Sequence, residues 1–104
     1  MRRWLLTALP FVVASAPCDA AAKVRLITID RMRFGAVPAD LQVGDTIRWK
    51  NRDLFRHSAT AADGSFDIDM QPGKSGSIVL KRAGNIAFAC KYHPGMGGTL
   101  LVRH

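Results

Sequence analysis

Short β-branched and apolar runs, each closed by a turn signal, fill this chain from Val24 to Val102, and nothing in that span repeats at the helical period. Val24-Arg25-Leu26-Ile27-Thr28-Ile29 reads as a first strand. Met32, Phe34 and Val37 follow in an irregular run ending at Pro38, and Leu41-Gln42-Val43 is a short second strand turned by Gly44-Asp45. Thr46 to Asn51 alternates strictly: Ile47, Trp49 and Asn51 share one face, Arg48 and Lys50 the other, so the core face closes on an amide. Beyond the Asp53–Arg56 loop, His57-Ser58-Ala59-Thr60 fits a brief strand, and Phe66, Ile68 and Met70 recur at period two after Asp63-Gly64. Ser77 to Lys81 is a strand, Ile86, Phe88 and Cys90 share a face of the next, and Thr99 to Val102 closes the chain. This spacing predicts an all-β Greek-key sandwich of about seven or eight strands, with Trp49 anchoring the core.

The segment before Val24 has a different character. Arg2 and Arg3 precede an apolar run from Leu5 to Ala16, and Ala20-Ala21-Ala22 supplies small residues. That order predicts a secretory signal peptide over residues 1–22, cut after Ala20 or Ala22, and a single domain over residues 23–104. The apolar run is shorter than the about 20 residues a spanning helix needs, so no stable membrane insertion is expected. A lipid anchor on Cys18 is the weaker reading, because Pro17 stands where lipoprotein processing wants a small residue. The expected location is the bacterial periplasm.

Removing the leader removes Cys18 and leaves Cys90 without a disulfide partner. A domain this small gains from a metal or a disulfide, and only the metal is open to it. The net charge is +7, from 15 Lys and Arg against 8 acids that are all Asp. Export, scattered basic residues and the lack of a nucleic-acid motif argue against nucleic acid and for an acidic protein partner met by a monomer.

Cys90-Lys91-Tyr92-His93-Pro94-Gly95-Met96 places a thiol, an imidazole and a thioether at equal spacing on one loop. His57, before a predicted strand, can reach the same point only in a folded sandwich. Each residue alone has a plain reading: His57 as a cap, Met96 as loop packing, Cys90 as core. Together, two imidazoles, a thiolate and a weak thioether form the donor set of a mononuclear copper centre. Zinc is the competitor, but structural zinc wants four good donors and rarely takes Met. His104 is left as a solvent residue. Gly95 and Gly97-Gly98 are expected to let the loop curl.

These segments resemble the small blue-copper proteins, the cupredoxins, over nearly all of the chain after the leader. Val43 to Asn51 is similar to the family's strand-turn-strand before the first ligand. His57-Ser58-Ala59-Thr60 and Asp63 to Asp67 are similar to the family's next two segments. Phe88 to Met96 is the most specific part, with the short ligand loop of the amicyanin type; plastocyanin and pseudoazurin are similar but have a longer His-to-Met gap. The resemblance implies one type 1 copper ion held by His57, Cys90 and His93 with Met96 axial, and a backbone bond from Ser58 to the Cys90 sulfur. It implies a periplasmic one-electron carrier, not an enzyme, that shuttles between redox proteins such as a c-type cytochrome or a periplasmic dehydrogenase. His93 would be the electron port, with Arg52, Arg56 and Lys91 nearby to steer an acidic partner. The alternative is a copper-handling protein for storage, delivery or resistance, without electron transfer.

Overall fold

The computed structural model describes residues 10 and 21–104. The expected leader falls outside them apart from residues 10, 21 and 22, and Cys18 lies outside as well. The described residues form nine strands: β1 (Val24–Asp30), β2 (Arg33–Phe34), β3 (Leu41–Gln42), β4 (Thr46–Asn51), β5 (His57–Ala61), β6 (Asp67–Met70), β7 (Ser75–Val79), β8 (Gly84–Ala89) and β9 (Gly97–Arg103). They make two sheets, ordered β2-β1-β4-β7 and β3-β9-β8-β5-β6. The chain changes sheet after β2, β3, β4, β6 and β7, so each sheet is built from distant segments.

The alternation in β4 sets the core. Ile47, Trp49 and Asn51 are fully buried, as are Ile27 and Ile29 of β1, which pairs with β4 in parallel. Leu100 and Val102 of β9 and Ile86 and Phe88 of β8 close the core from the other sheet. Trp49 lies 5.3 Å from Phe66 and 5.7 Å from Phe88, whose ring meets Phe34 edge-on at 4.8 Å. These separations suit edge-to-face aromatic packing. The buried amide of Asn51 is satisfied: Nδ2 donates to the Phe55 and Met70 carbonyls, and Oδ1 accepts from the Asp53 N–H.

Of the elements whose bounds depart from the sequence expectation, two bear on the packing. Met32 and Phe34, expected in an irregular run, belong to a hairpin in which Asp30 pairs with Arg33, and this adds β2 to the count. The intervening Arg31 and Met32 have φ of 52° and 62°, a region normally left to Gly, Asn or Asp. The seventh strand begins at Ser75 and not at Ser77, because its partner Lys50 of β4 sits opposite Ser75. Gly76 makes this possible: a Cβ there would lie 2.2 Å from Ile68 Cγ2, so the close approach of β7 to β6 requires glycine.

Candidate metal centre

β8 delivers Cys90 immediately beyond its last residue, in line with the inward-facing Ile86 and Phe88. Because Ala89 sits opposite Thr60 of β5, the antiparallel register carries Cys90 to the level of Ala59 and Lys91 to that of Ser58. The Ser58 N–H donates to the Cys90 sulfur at 3.3 Å, the bond the resemblance implied, and the Ser58 hydroxyl accepts the Lys91 N–H at 2.9 Å. Nothing in the sequence pointed to the second contact. A serine beside a histidine carries no sign of which loop it will fasten.

The loop closes on itself. The Cys90 N–H donates to the Met96 carbonyl at 2.9 Å, and the Met96 N–H to the His93 carbonyl at 3.2 Å. Gly95 takes φ of 84° in this turn, as its position suggested. Gly97 and Gly98 do not serve the curl; they open β9, and a Cβ on Gly98 would strike the Phe88 ring at 2.8 Å.

His57, Cys90 and His93 converge, with one donor atom from each lying within 4.8 Å of the others. His57 Nδ1 is 3.8 Å from the Cys90 sulfur, and the two imidazole rings are 4.7 Å apart. Bonds of roughly 2.0–2.3 Å from N and S donors can be met from such positions with little movement. His57 is fully buried, Cys90 and Met96 nearly so, and His93 half-buried. His104 is exposed.

The second-sphere bonds decide which nitrogens are free. His93 Nε2 lies 3.0 Å from the Arg56 carbonyl oxygen, and His57 Nε2 lies 2.9 Å from Asp53 Oδ2. A carbonyl or carboxylate only accepts, so both Nε2 atoms carry hydrogen, and each ring in its neutral form keeps a bare lone pair on Nδ1. Asp53 is held below the usual carboxylate range, first by the His57 bond and then by the Met32 N–H. Two imidazole nitrogens with lone pairs and a buried thiol with a thioether on the same loop fit copper in donor chemistry.

The surface around the loop differs from the expectation in its charge. Arg56 forms a bidentate pair with Asp69 at 2.7 and 2.6 Å, and Lys91 pairs with Asp67 at 3.1 Å. Both aspartates project outward from β6, whose register sets Met70 opposite His57. Tyr92 donates its hydroxyl to Asp69 and lies under the Arg56 guanidinium, 4.6 Å from ring centre to Cζ. The cationic steering expected of Arg56 and Lys91 is therefore offset locally, and Arg52 alone of the three has no ion pair among the described residues.

The same pairs carry a pH dependence. Bonds from Arg56 and then Tyr92 lower the Asp69 pKa to about 2 from its ordinary 3.8. A depressed folded-state pKa stabilises the fold above the unfolded value and loses that contribution as pH falls through the folded one. Melting temperature should thus drop between about pH 4 and pH 2, and less steeply in Asp69→Asn than in the wild type. Equal slopes in the two proteins would contradict this.

No family model matches the chain. It is 33% identical over 98 residues to the methylamine utilization protein MauL of Methylorubrum extorquens, spanning 90% of this chain and 86% of that protein. It is 24% identical over 99 residues to amicyanin of Paracoccus versutus, spanning 89% of this chain and 72% of that protein. Among solved structures, a reduced amicyanin variant superposes with a TM-score of 0.65 at 26% identity, covering 80% of this chain and 83% of that one. Fold, loop spacing and relatives agree: the chain belongs to the cupredoxin family, in its amicyanin-like branch.

Proposed function

We propose that the protein is a periplasmic one-electron carrier that holds a single copper ion with His57 Nδ1, Cys90 Sγ and His93 Nδ1, and with Met96 as the fourth, weaker donor. Bound copper supplies a Cu(I)/Cu(II) couple. The observation that carries the reading is the convergence of one donor atom each from His57, Cys90 and His93 within 4.8 Å, with the Nε2 of each imidazole facing its own acceptor. A site fastened by Ser58, Asp53 and the Arg56 carbonyl keeps the same donors in place in both oxidation states, which suits a carrier more than a chain that releases its ion.

The His93 edge is the proposed point of electron exchange. The Phe55 ring, on a residue 56% exposed, lies 6.4 Å from the imidazole; Leu54, the residue before it, is 86% exposed, and Pro94 and Gly95 are exposed too. An apolar rim of this kind suits brief docking to a redox protein, a c-type cytochrome or a periplasmic dehydrogenase. Attraction to an acidic partner then rests on Arg52 and on the net charge of the mature domain, which is +6 once Arg2, Arg3 and Asp19 leave with the leader. The relative's name ties that protein to methylamine utilization, and a role beside such a dehydrogenase is the corresponding proposal for this one. Among the described residues no helix is long and apolar enough to cross a membrane. Export through the leader over residues 1–22 is part of the proposal, as is a mature domain over 23–104.

The test is electrochemical. Protein loaded with one equivalent of Cu(II) should give a reversible one-electron wave and keep its metal over repeated cycles. Release of copper on reduction would favour the copper-handling reading instead.

A further inference from the structure

Asp53 stands four residues before His57 and collects three donors on one carboxylate. Its Oδ2 accepts the His57 Nε2–H and the Met32 N–H, each at 2.9 Å, and its Oδ1 accepts the Leu54 N–H at 2.9 Å. The Asp53 N–H is itself held by Asn51 Oδ1 at 2.9 Å, and Asn51 is fully buried. The carboxylate is thus fixed at both ends. Its side chain is only 10% exposed, and that of His57 not at all.

The Met32 contact carries further weight. Arg31 and Met32 both occupy the left-handed region, which neither side chain favours. Strained backbone of this kind persists where surrounding structure imposes it, and it clusters at functional sites. Here the strained turn aims the Met32 N–H at the oxygen that also holds His57. Two distant segments, the β1–β2 turn and the loop before β5, therefore meet on one carboxylate behind an imidazole.

We propose that Asp53 is a positioning residue for the metal centre: it fixes His57 as the Nε2–H tautomer and places a negative charge behind the imidazole, favouring Cu(II) over Cu(I). The copper part of this rests on the function proposed above. Outer-sphere partners of a metal-bound histidine orient the ring and raise its basicity, and their loss typically costs about 10–100-fold in metal affinity. A negative charge behind the ligand favours the more positive ion, so its removal weakens Cu(II) binding more than Cu(I) binding. A purely structural support would weaken both alike.

Asp53→Asn keeps the shape and removes the charge. The ratio of Cu(II) to Cu(I) affinity is expected to fall by about tenfold, which for a one-electron couple is a rise of about 59 mV in reduction potential. Asp53→Glu retains the charge and should return the potential most of the way to the wild-type value. A potential in Asp53→Asn that is unchanged or lower overturns the proposal. A second measurement needs neither copper nor a variant: long-range proton–nitrogen correlation spectra of the metal-free wild type. In its neutral form the His57 ring should show a protonated Nε2 and a bare Nδ1, and a neutral ring with its proton on Nδ1 overturns the proposal. A wild type that takes up no copper would sink the copper reading, while the tautomer would still decide the role of Asp53.

Discussion

Replacing Cys90 with serine is expected to abolish the copper thiolate chromophore and to weaken copper binding by more than about 100-fold, the upper end of what losing an outer-sphere partner costs. A metal ligand must be deprotonated, and a serine hydroxyl does not ionise near neutral pH as a thiol can. In the proposed site Cys90 would be the donor that makes it selective, because thiolate softness favours copper over harder ions. The fold should survive. Ser58 keeps an acceptor for its N–H, and the Lys91 N–H still has the Ser58 hydroxyl. The metal-free variant should therefore still fold and melt cooperatively, losing no more than the about 1–3 kcal/mol of an imperfectly satisfied buried hydroxyl. Visible absorption and a copper-binding titration check the first part and thermal melting the second. A blue Cys90→Ser protein would remove Cys90 from the site.

The second large effect concerns the scaffold. Trp49→Ala should destabilise the domain by about 3–5 kcal/mol, the usual cost of truncating a fully buried aromatic. Trp49 is 0% exposed and contacts both Phe66 and Phe88, so its removal opens the space between the sheets. Against a total of about 5–15 kcal/mol, such a loss takes at least about a fifth of the stability. In a domain of this size the melting temperature should fall by at least about 12 °C. Trp49→Phe should cost much less, because the indole N–H has no hydrogen-bond partner among the described residues and the smaller ring keeps most of the contact. Thermal melting of the two metal-free variants separates them. A Trp49→Ala protein as stable as the wild type would show that the aromatic cluster is not what holds the sheets together.

The parts of the fold legible in the sequence are those set by local period. β4 is readable to its last residue because Ile47, Trp49 and Asn51 alternate with Arg48 and Lys50, and even the inward amide is visible. The three donors of His57, Cys90 and His93 stand out by residue type and spacing, and the structure brings them together. The illegible parts depend on pairing across the sheets. Arg31-Met32 offers none of the usual turn chemistry, so the β1–β2 hairpin has no local signal. β7 starts where Lys50 and the gap left by Gly76 put it, not where its apolar residues begin. Arg56 and Lys91 look like free charges until the register of β5 against β6 places Asp69 and Asp67 beside them. Asp53 is an ordinary loop carboxylate until Met32 and His57 both reach its Oδ2.

The proposed copper–thiolate electron-transfer site at the end of this sandwich has a visible signature. Titrating the wild-type protein with Cu(II) while recording its absorption reads that signature out. An intense blue band should grow to saturation at one copper per chain, bleach on one-electron reduction and return on reoxidation. A saturated Cu(II) complex without that band, or no saturable copper binding, would contradict the account.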